Sequence, residues 1–278
     1  MTKIKITKMQ GCGNDFIIID YDEYVKSGLE MSELAIKLCD RHFGIGADGM
    51  IIPNTHSDNK TDIAWYFYNS DGTTAQMCGN GMRCFAKYVY DKKLVNKKQF
   101  SVNTLAGIIK PQIQDDGTVK VNMGIPILED EKIPFKGEKT VNVKDKTFEI
   151  TPVSMGNPHC IIFTEEDPMN LAINYGPDME KHPFFPEKTN TEFVKIISEK
   201  EIEMRVYERG CGITLACGTG ACASVVACIL NNLTQDKVKV NLLGGAVSVE
   251  WSGTRDDTNK NIFLIGPAQY SFTAEYML

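Results

Sequence analysis

Two cysteines half the chain apart carry the residues best suited to chemistry. The stretch MCGNGMRC, Met77 to Cys84, has a second copy of its core in ACGTGACA, Ala216 to Ala223. Each copy reads Cys-Gly-x-Gly and continues with apolar residues at helical spacing: Met82, Phe85 and Val89 after the first, Ala221, Val225 and Ile229 after the second. The spacing predicts a helix starting at each cysteine. Main-chain N–H groups in a first turn lack intrahelical partners, and the helix dipole adds partial positive charge. A thiolate there is favoured, and its pKa is expected to fall. The same donors suit a carboxylate, so each copy offers a base and a carboxylate grip. One such cysteine would ordinarily be inert packing. Two equivalent thiols instead suit inversion at a carbon centre, one taking a proton from one face and the other returning a proton to the opposite face.

The flanking segments must place these helices. KIKITK and FIIID read as strands joined by the turn-forming GCGND, which presents Asn14 either as a cleft residue or as a turn residue. Ser32 is the expected cap of a helix running through Arg41, with Leu34, Leu38 and Ile36 inward. Gly44 to Gly49 spells G-x-G-x-x-G, but a helix precedes it and the strand-like MIIP follows, the reverse of a dinucleotide site. DIAWYFYNSDG is a strand ending in a turn that delivers Asn69 toward the first cysteine helix. FSVNTLAGIIKPQI and TVKVNMG read as paired strands, and the charged stretch ILEDEKIPFKGEKT as a linker. Beyond it, FEITPVSM, CIIF, FVKII, IEMRVYE, VKVNLL and AVSVEW are strands, with one strong helix, after Cys217. His159, in the turn MGNPHC, is a general-base candidate or a structural hydrogen-bonding residue. Glu208 and Arg209 close a strand shortly before Cys217, a position that favours a ligand role over a surface ion pair.

Composition bounds the partners. The 278 residues are 42% hydrophobic and 24% charged with a formal charge of −6, so there is no basic footprint for nucleic acid and a small molecule is expected. No apolar run approaches a membrane span. The cysteine count of nine is odd, and the chain opens MTKIKITKMQ with no apolar signal stretch, so a cytoplasmic protein with reduced thiols is expected. Cys78 to Cys84 and Cys211 to Cys217 both have Cys-x5-Cys spacing, which is wrong for the usual zinc knuckles, so no metal is expected.

MQGCGNDF, FGIGADG, YNSDG, MCGNGMRC, MGNPH, TNTEFV, VYERG and LACGTGACA, in this order across most of the chain, resemble the diaminopimelate epimerase family. The resemblance implies an α+β fold of two pseudo-symmetric β-rich halves, each wrapped around a central helix, with the active site in the cleft between them. The halves are expected at residues 1–122 and 123–263, with a strand in 264–278 returning to the first. It also implies cofactor-independent interconversion of LL- and meso-2,6-diaminopimelate, in lysine and peptidoglycan precursor biosynthesis, by a homodimer. Under that resemblance Cys78 and Cys217 are the acid/base pair, and Gly79, Asn80, Gly218 and Thr219 hold the reacting carboxylate. Asn14, Asn69, Asn157, Asn190, Glu208 and Arg209 read the substrate, with His159 in support. Gly49, Ile213 and Gln10 stand where many members carry Gln, Glu and His. The alternatives are a related racemase of a single amino acid such as histidine, also independent of pyridoxal phosphate, and a non-enzymatic thiol protein acting as a redox sensor or metal binder.

Overall fold

The computed structural model describes residues 2–55 and 60–278. The chain divides into two compact units, one of Met1–Val121 with Gly266–Leu278, the other of Asn122–Ile265.

In the first unit seven strands lie in the order Gln269–Met277, Lys3–Gly11, Asn14–Ile18, Gly49–Asn54, Ile63–Asn69, Val102–Thr104, Gly107–Ile109. Lys3–Gly11 and Asn14–Ile18 form a hairpin whose two loop residues, Cys12 and Gly13, both have positive φ (55° and 87°). That is the backbone a two-residue hairpin turn requires, and it puts Asn14 at the start of a strand. Gly49–Asn54 is buried along its whole length because each face carries a helix. Met50 and Ile52 face Leu34 and Leu38 of the helix Met31–Cys39, while Ile51 lies against Gly81 of the helix Gly79–Asp91. Successive strand residues point to opposite faces, so one strand serves both helices. The helix Met31–Cys39 is capped at Glu30, not at Ser32, and Ile36 is 51% exposed. The turn around Ser32 has already become helical, and Ile36 falls off the Leu34–Leu38 stripe. A further short helix, Tyr21–Ser27, was not legible, since it buries no residue completely.

The second unit's strands run Ile262–Gly266, Gly245–Trp251, Lys237–Leu242, Glu201–Glu208, Asn190–Ser198, Pro158–Phe163, Lys146–Ser154, Thr140–Val143, with Gly212–Ile213 beside Glu201–Glu208. The helix Gly218–Leu230 packs against five of them and has no charged residue, as a helix buried nearly all round requires. The expectation of a single strong helix in this half is corrected by Pro168–Glu180. Its first turn is closed by the Asp167 carboxylate accepting from the Met169 N–H (2.8 Å). Pro168, Gly176 and Pro177 mask its helical signature, yet Leu171, Ala172, Tyr175 and Met179 form one buried face. Gly176 is required by close approach, because a Cβ there would lie 2.6 Å from the Tyr207 side chain. The charged stretch read as a linker is also corrected: Ile133 and Phe135 are buried in the same core as Met179, Phe185 and Phe193. Two apolar anchors outweigh the surrounding charges.

Both units are β-rich and each buries one cysteine-headed helix. The observed class is therefore α+β.

Candidate active site

Cys78 is the N-cap of Gly79–Asp91, with an extended backbone (φ −140°, ψ 117°), and its sulfur accepts from the Gly81 N–H at 3.4 Å. Cys217 repeats this at the head of Gly218–Leu230 (φ −120°, ψ 108°), its sulfur accepting from the Gly220 N–H at 3.4 Å. The Cys-Gly-x-Gly repeat is thus a repeat of geometry: an extended cysteine, then small residues that let the first turn close against it.

Around Cys78 the polar groups form one chain. The Cys78 thiol donates to Asn14 Oδ1 (3.7 Å), which also accepts from Asn80 Nδ2 (3.2 Å). Asn14 is held from the other side by Asp48, whose carboxylate accepts from Asn14 Nδ2 (2.5 Å) and from the Asp15 N–H (3.1 Å). Asp48 is in turn paired with Arg41 (2.8 Å). Asn80 is fixed by Arg83, whose guanidinium donates to Asn80 Oδ1 (2.8 Å) and to the Pro267 carbonyl (3.0 Å). Arg83 is fully buried, so its charge is held by oriented neutral acceptors, and its loss would leave them unsatisfied. Asn69 ends the strand Ile63–Asn69, where its side chain donates to Thr73 (3.0 Å). It stands opposite Gly49 in the sheet, and a side chain at Gly49 would come within 2.7 Å of Phe67 and of the Tyr68 carbonyl. Gln10 braces the Cys12–Gly13 turn by accepting from the Gly13 N–H (2.8 Å).

Around Cys217 the structure gathers Asn157, His159, Glu192, Glu208 and Thr219. The Thr219 hydroxyl lies 3.5 Å from the Cys217 sulfur and accepts from Asn157 Nδ2 at 3.4 Å. His159 is wholly buried, with Nδ1 2.7 Å from Glu192 Oε1 and Nε2 3.1 Å from Asn157 Oδ1. Both ring nitrogens are engaged by protein partners. Glu208 accepts from the Thr214 hydroxyl. Burial raises its carboxyl above the usual range, Glu192 pushes the same way, and hydrogen bonds from Thr214 and Cys217 oppose the shift. Asn190 is buried and engaged at both ends, donating to the Pro158 carbonyl (2.9 Å) and accepting from the Arg209 N–H (2.9 Å). It positions the Arg209 loop, helped by Glu180 accepting from the Gly210 N–H (2.9 Å). The Arg209 side chain is exposed and donates to the Glu187 carbonyl (3.1 Å).

The expected fall in thiol pKa is overturned at Cys217. Burial pushes this thiol well above its ordinary value, and Glu208 and Glu192 push it further, while Thr219 and the Gly220 N–H only partly compensate. The helix mouth supplies donors, but desolvation and two carboxylates outweigh them.

Asp48, Arg83 and Glu192 were not among the expected site residues. Asp48 and Glu192 lie in the quoted motifs FGIGADG and TNTEFV, and Arg83 in the first repeat itself, so the signal was adjacency to already suspect residues. Among the described residues no group of three or more His, Cys, Asp or Glu side chains could hold a metal ion, and no helix is long and apolar enough to cross a membrane. A cavity of about 630 Å³ near Ile127, Leu230 and Arg255 contains none of the expected site residues.

Residues 6–129 and 151–271 match the family model for diaminopimelate epimerase. A diaminopimelate epimerase of Heliobacterium modesticaldum is 44% identical over 287 residues, covering 99% of this chain and all of its own. One of Nostoc is 45% identical over 282 residues, covering 98% of this chain and 99% of its own. Among solved structures, a Bacillus anthracis protein of the PhzF phenazine biosynthesis family superposes with a TM-score of 0.73 at 18% identity, each chain covered fully. A hydroxyproline epimerase from Agrobacterium vitis gives 0.70 at 12% identity, covering 99% of this chain and 93% of its own. At such identities these two speak for the fold alone, whereas the matched residues and the near-full-length relatives place the chain in the diaminopimelate epimerase family, a family of isomerases.

Proposed function

We propose that this chain interconverts LL- and meso-2,6-diaminopimelate without a cofactor, Cys78 and Cys217 exchanging the roles of base and acid. The observation that carries the reading is the duplicated helix mouth. Two cysteines cap two helices with the same backbone and the same sulfur-to-N–H contact, in a chain of this family. The reaction requires both sulfurs to reach one α-carbon from opposite faces.

The α-proton of an amino acid is a weak acid, so negative charge must be stabilised as it develops. N–H groups at Gly79, Asn80, Gly218 and Thr219 serve the reacting carboxylate, where the charge is delocalised. A Cys217 thiolate that burial and carboxylates disfavour is, once formed, a stronger base toward such a proton. Asn14 and Asn157, each tied to a cysteine's surroundings, and Asn69 orient the substrate. At the distal end, Arg209 takes the carboxylate in its planar fork and Glu208 the ammonium, with Asn190 holding their loop. The reaction belongs to lysine and peptidoglycan precursor synthesis in the cytoplasm, carried out by a homodimer.

Chiral chromatography of LL-diaminopimelate incubated with the protein, without pyridoxal phosphate, tests the reading. Appearance of the meso isomer, and its loss by at least about 100-fold in Cys78→Ala and in Cys217→Ala, is expected. Inversion of a single amino acid such as histidine or proline, with diaminopimelate untouched, would overturn it.

A further inference from the structure

Glu192 is a carboxylate near Cys217 with no part in the proposed reaction, and its surroundings are unusual. It is fully buried, its Oε1 lies 2.7 Å from His159 Nδ1, and its Oε2 has no hydrogen-bond partner among the described residues. Isolated buried carboxylate charge is strongly disfavoured, so the His159 contact must hold a proton.

The remaining contacts fix where protons lie. Thr219 accepts from Asn157 Nδ2, which turns Asn157 Oδ1 toward His159 Nε2. An amide oxygen only accepts, so Nε2 carries hydrogen. A further proton then lies between His159 Nδ1 and Glu192, on one or the other. Asn157 donates to one of the Thr219 oxygen's two lone pairs, which leaves the Thr219 O–H free to donate to the Cys217 sulfur, 3.5 Å away. The backbone is built for this chain. Asn190 and Glu192 stand parallel to His159 and Ile161 in adjacent strands, and Gly220 leaves room, since a Cβ there would sit 2.6 Å from Glu192 Oε1.

We propose that Glu192 is a positioning residue for Cys217: through His159, Asn157 and Thr219 it orients the Thr219 hydroxyl as a hydrogen-bond donor to the sulfur. The proposal rests on the reading of Cys217 as an acid/base group, and it names the device that stabilises its thiolate during turnover. Without Glu192, His159 would lose the partner that shares its Nδ1 proton. A neutral ring bearing hydrogen on Nδ1 would present a lone pair to Asn157, the amide would turn over, and Thr219 would give its hydrogen to Asn157 instead. The charged and titratable groups facing the sulfur from the packed elements of this unit are Glu208, Glu192 and, beyond them, His159.

The test reads the sulfur and not turnover. In a Cys78→Ala background, the alkylation rate of Cys217 by iodoacetamide is followed against pH by peptide mass spectrometry. Glu192→Leu and Glu192→Gln both remove a carboxylate that pushes the thiol up, so the relay is read as the difference between them: the midpoint of Glu192→Leu is expected about one pH unit above that of Glu192→Gln, the scale of one charge-assisted hydrogen bond. Asn157→Ala and Thr219→Val are expected to raise the parent midpoint by as much, and adding Asn157→Ala to Glu192→Leu is expected to raise it no further. Glu192→Gln keeps the relay, because its amide can donate to Nδ1 and leave hydrogen on Nε2, so its midpoint is expected at or below the parent's. An unchanged midpoint in Asn157→Ala or Thr219→Val, or additive shifts in the double variant, overturns the relay. Those two variants carry the test even if Glu192→Leu does not fold. Because alkylation needs no substrate, failure of the relay leaves the proposed reaction standing, and failure of the reaction leaves the relay readable.

Discussion

The two helix mouths share a backbone but not their surroundings, so one substitution at equivalent positions should have opposite effects. Gly81 and Gly220 are each the third residue after a cysteine, and each N–H reaches the sulfur. Replacing a helical glycine by alanine ordinarily stabilises by about 1 kcal/mol, through chain entropy. At Gly81 the added Cβ would meet Cys78, Ile51 and Phe16 no closer than 3.5 Å, an ordinary contact. Gly81→Ala should therefore be neutral or stabilising by up to about 1 kcal/mol. At Gly220 the Cβ would lie 2.6 Å from Glu192 Oε1 and 3.2 Å from the Cys217 sulfur. Overpacking costs about 1–3 kcal/mol, and disturbing the hydrogen bond between Glu192 and His159 adds about 1.5–3 kcal/mol. After subtracting the helix gain, Gly220→Ala should lose about 1.5–5 kcal/mol. Urea unfolding followed by tryptophan fluorescence can separate the two variants, because Trp65 lies in one unit and Trp251 in the other. A Gly220→Ala protein as stable as the parent, or a Gly81→Ala protein equally damaged, would refute the packing argument.

Other perturbations follow from the same contacts. Glu208→Gln removes a carboxylate that pushes the Cys217 thiol upward, so the pH midpoint of Cys217 alkylation should move toward acid; a move toward base would contradict the assigned electrostatics. Asp167→Ala removes the cap accepting from Met169 and should destabilise the second unit by about 1 kcal/mol in denaturant titration. Burial raises the Asp15 carboxyl, but hydrogen bonds from Arg41 and Lys8 outweigh it and hold it below the ordinary carboxylate value. The stability this supplies is present above the unfolded carboxylate pKa and is lost as pH falls through the folded one. Arg41→Ala should therefore be less stable at neutral pH and lose less on acidification to about pH 3, with equal acid slopes as the contradicting result.

The elements that head the site were legible because their signals are local. Cys-Gly-x-Gly followed by apolar spacing marks a helix start wherever it occurs, and both helices begin at the cysteines. Asn14, Asn80, Asn157 and Thr219 could be named because they sit beside the cysteines or in recognisable turns. The illegible parts depend on distant partners. Pro168–Glu180 looks broken by proline and glycine until Phe148, Phe193 and Tyr207 are placed against it. Ile133 and Phe135 look like a charged linker until their core is assembled. The direction of the Cys217 shift was missed because it comes first from burial, with Glu208 and Glu192 adding to it, and burial shows only once the core is assembled, while the helix mouth was visible locally.

The most direct test of the proposed two-base reaction is proton NMR of LL-diaminopimelate with the purified, reduced protein in heavy water, with no pyridoxal phosphate added. The account predicts that the α-proton signal is lost and the meso isomer appears carrying deuterium at the inverted centre, since the proton returned to the opposite face comes from a second, solvent-exchanged thiol. No exchange with both thiols intact, or inversion with the original proton fully retained, would contradict it.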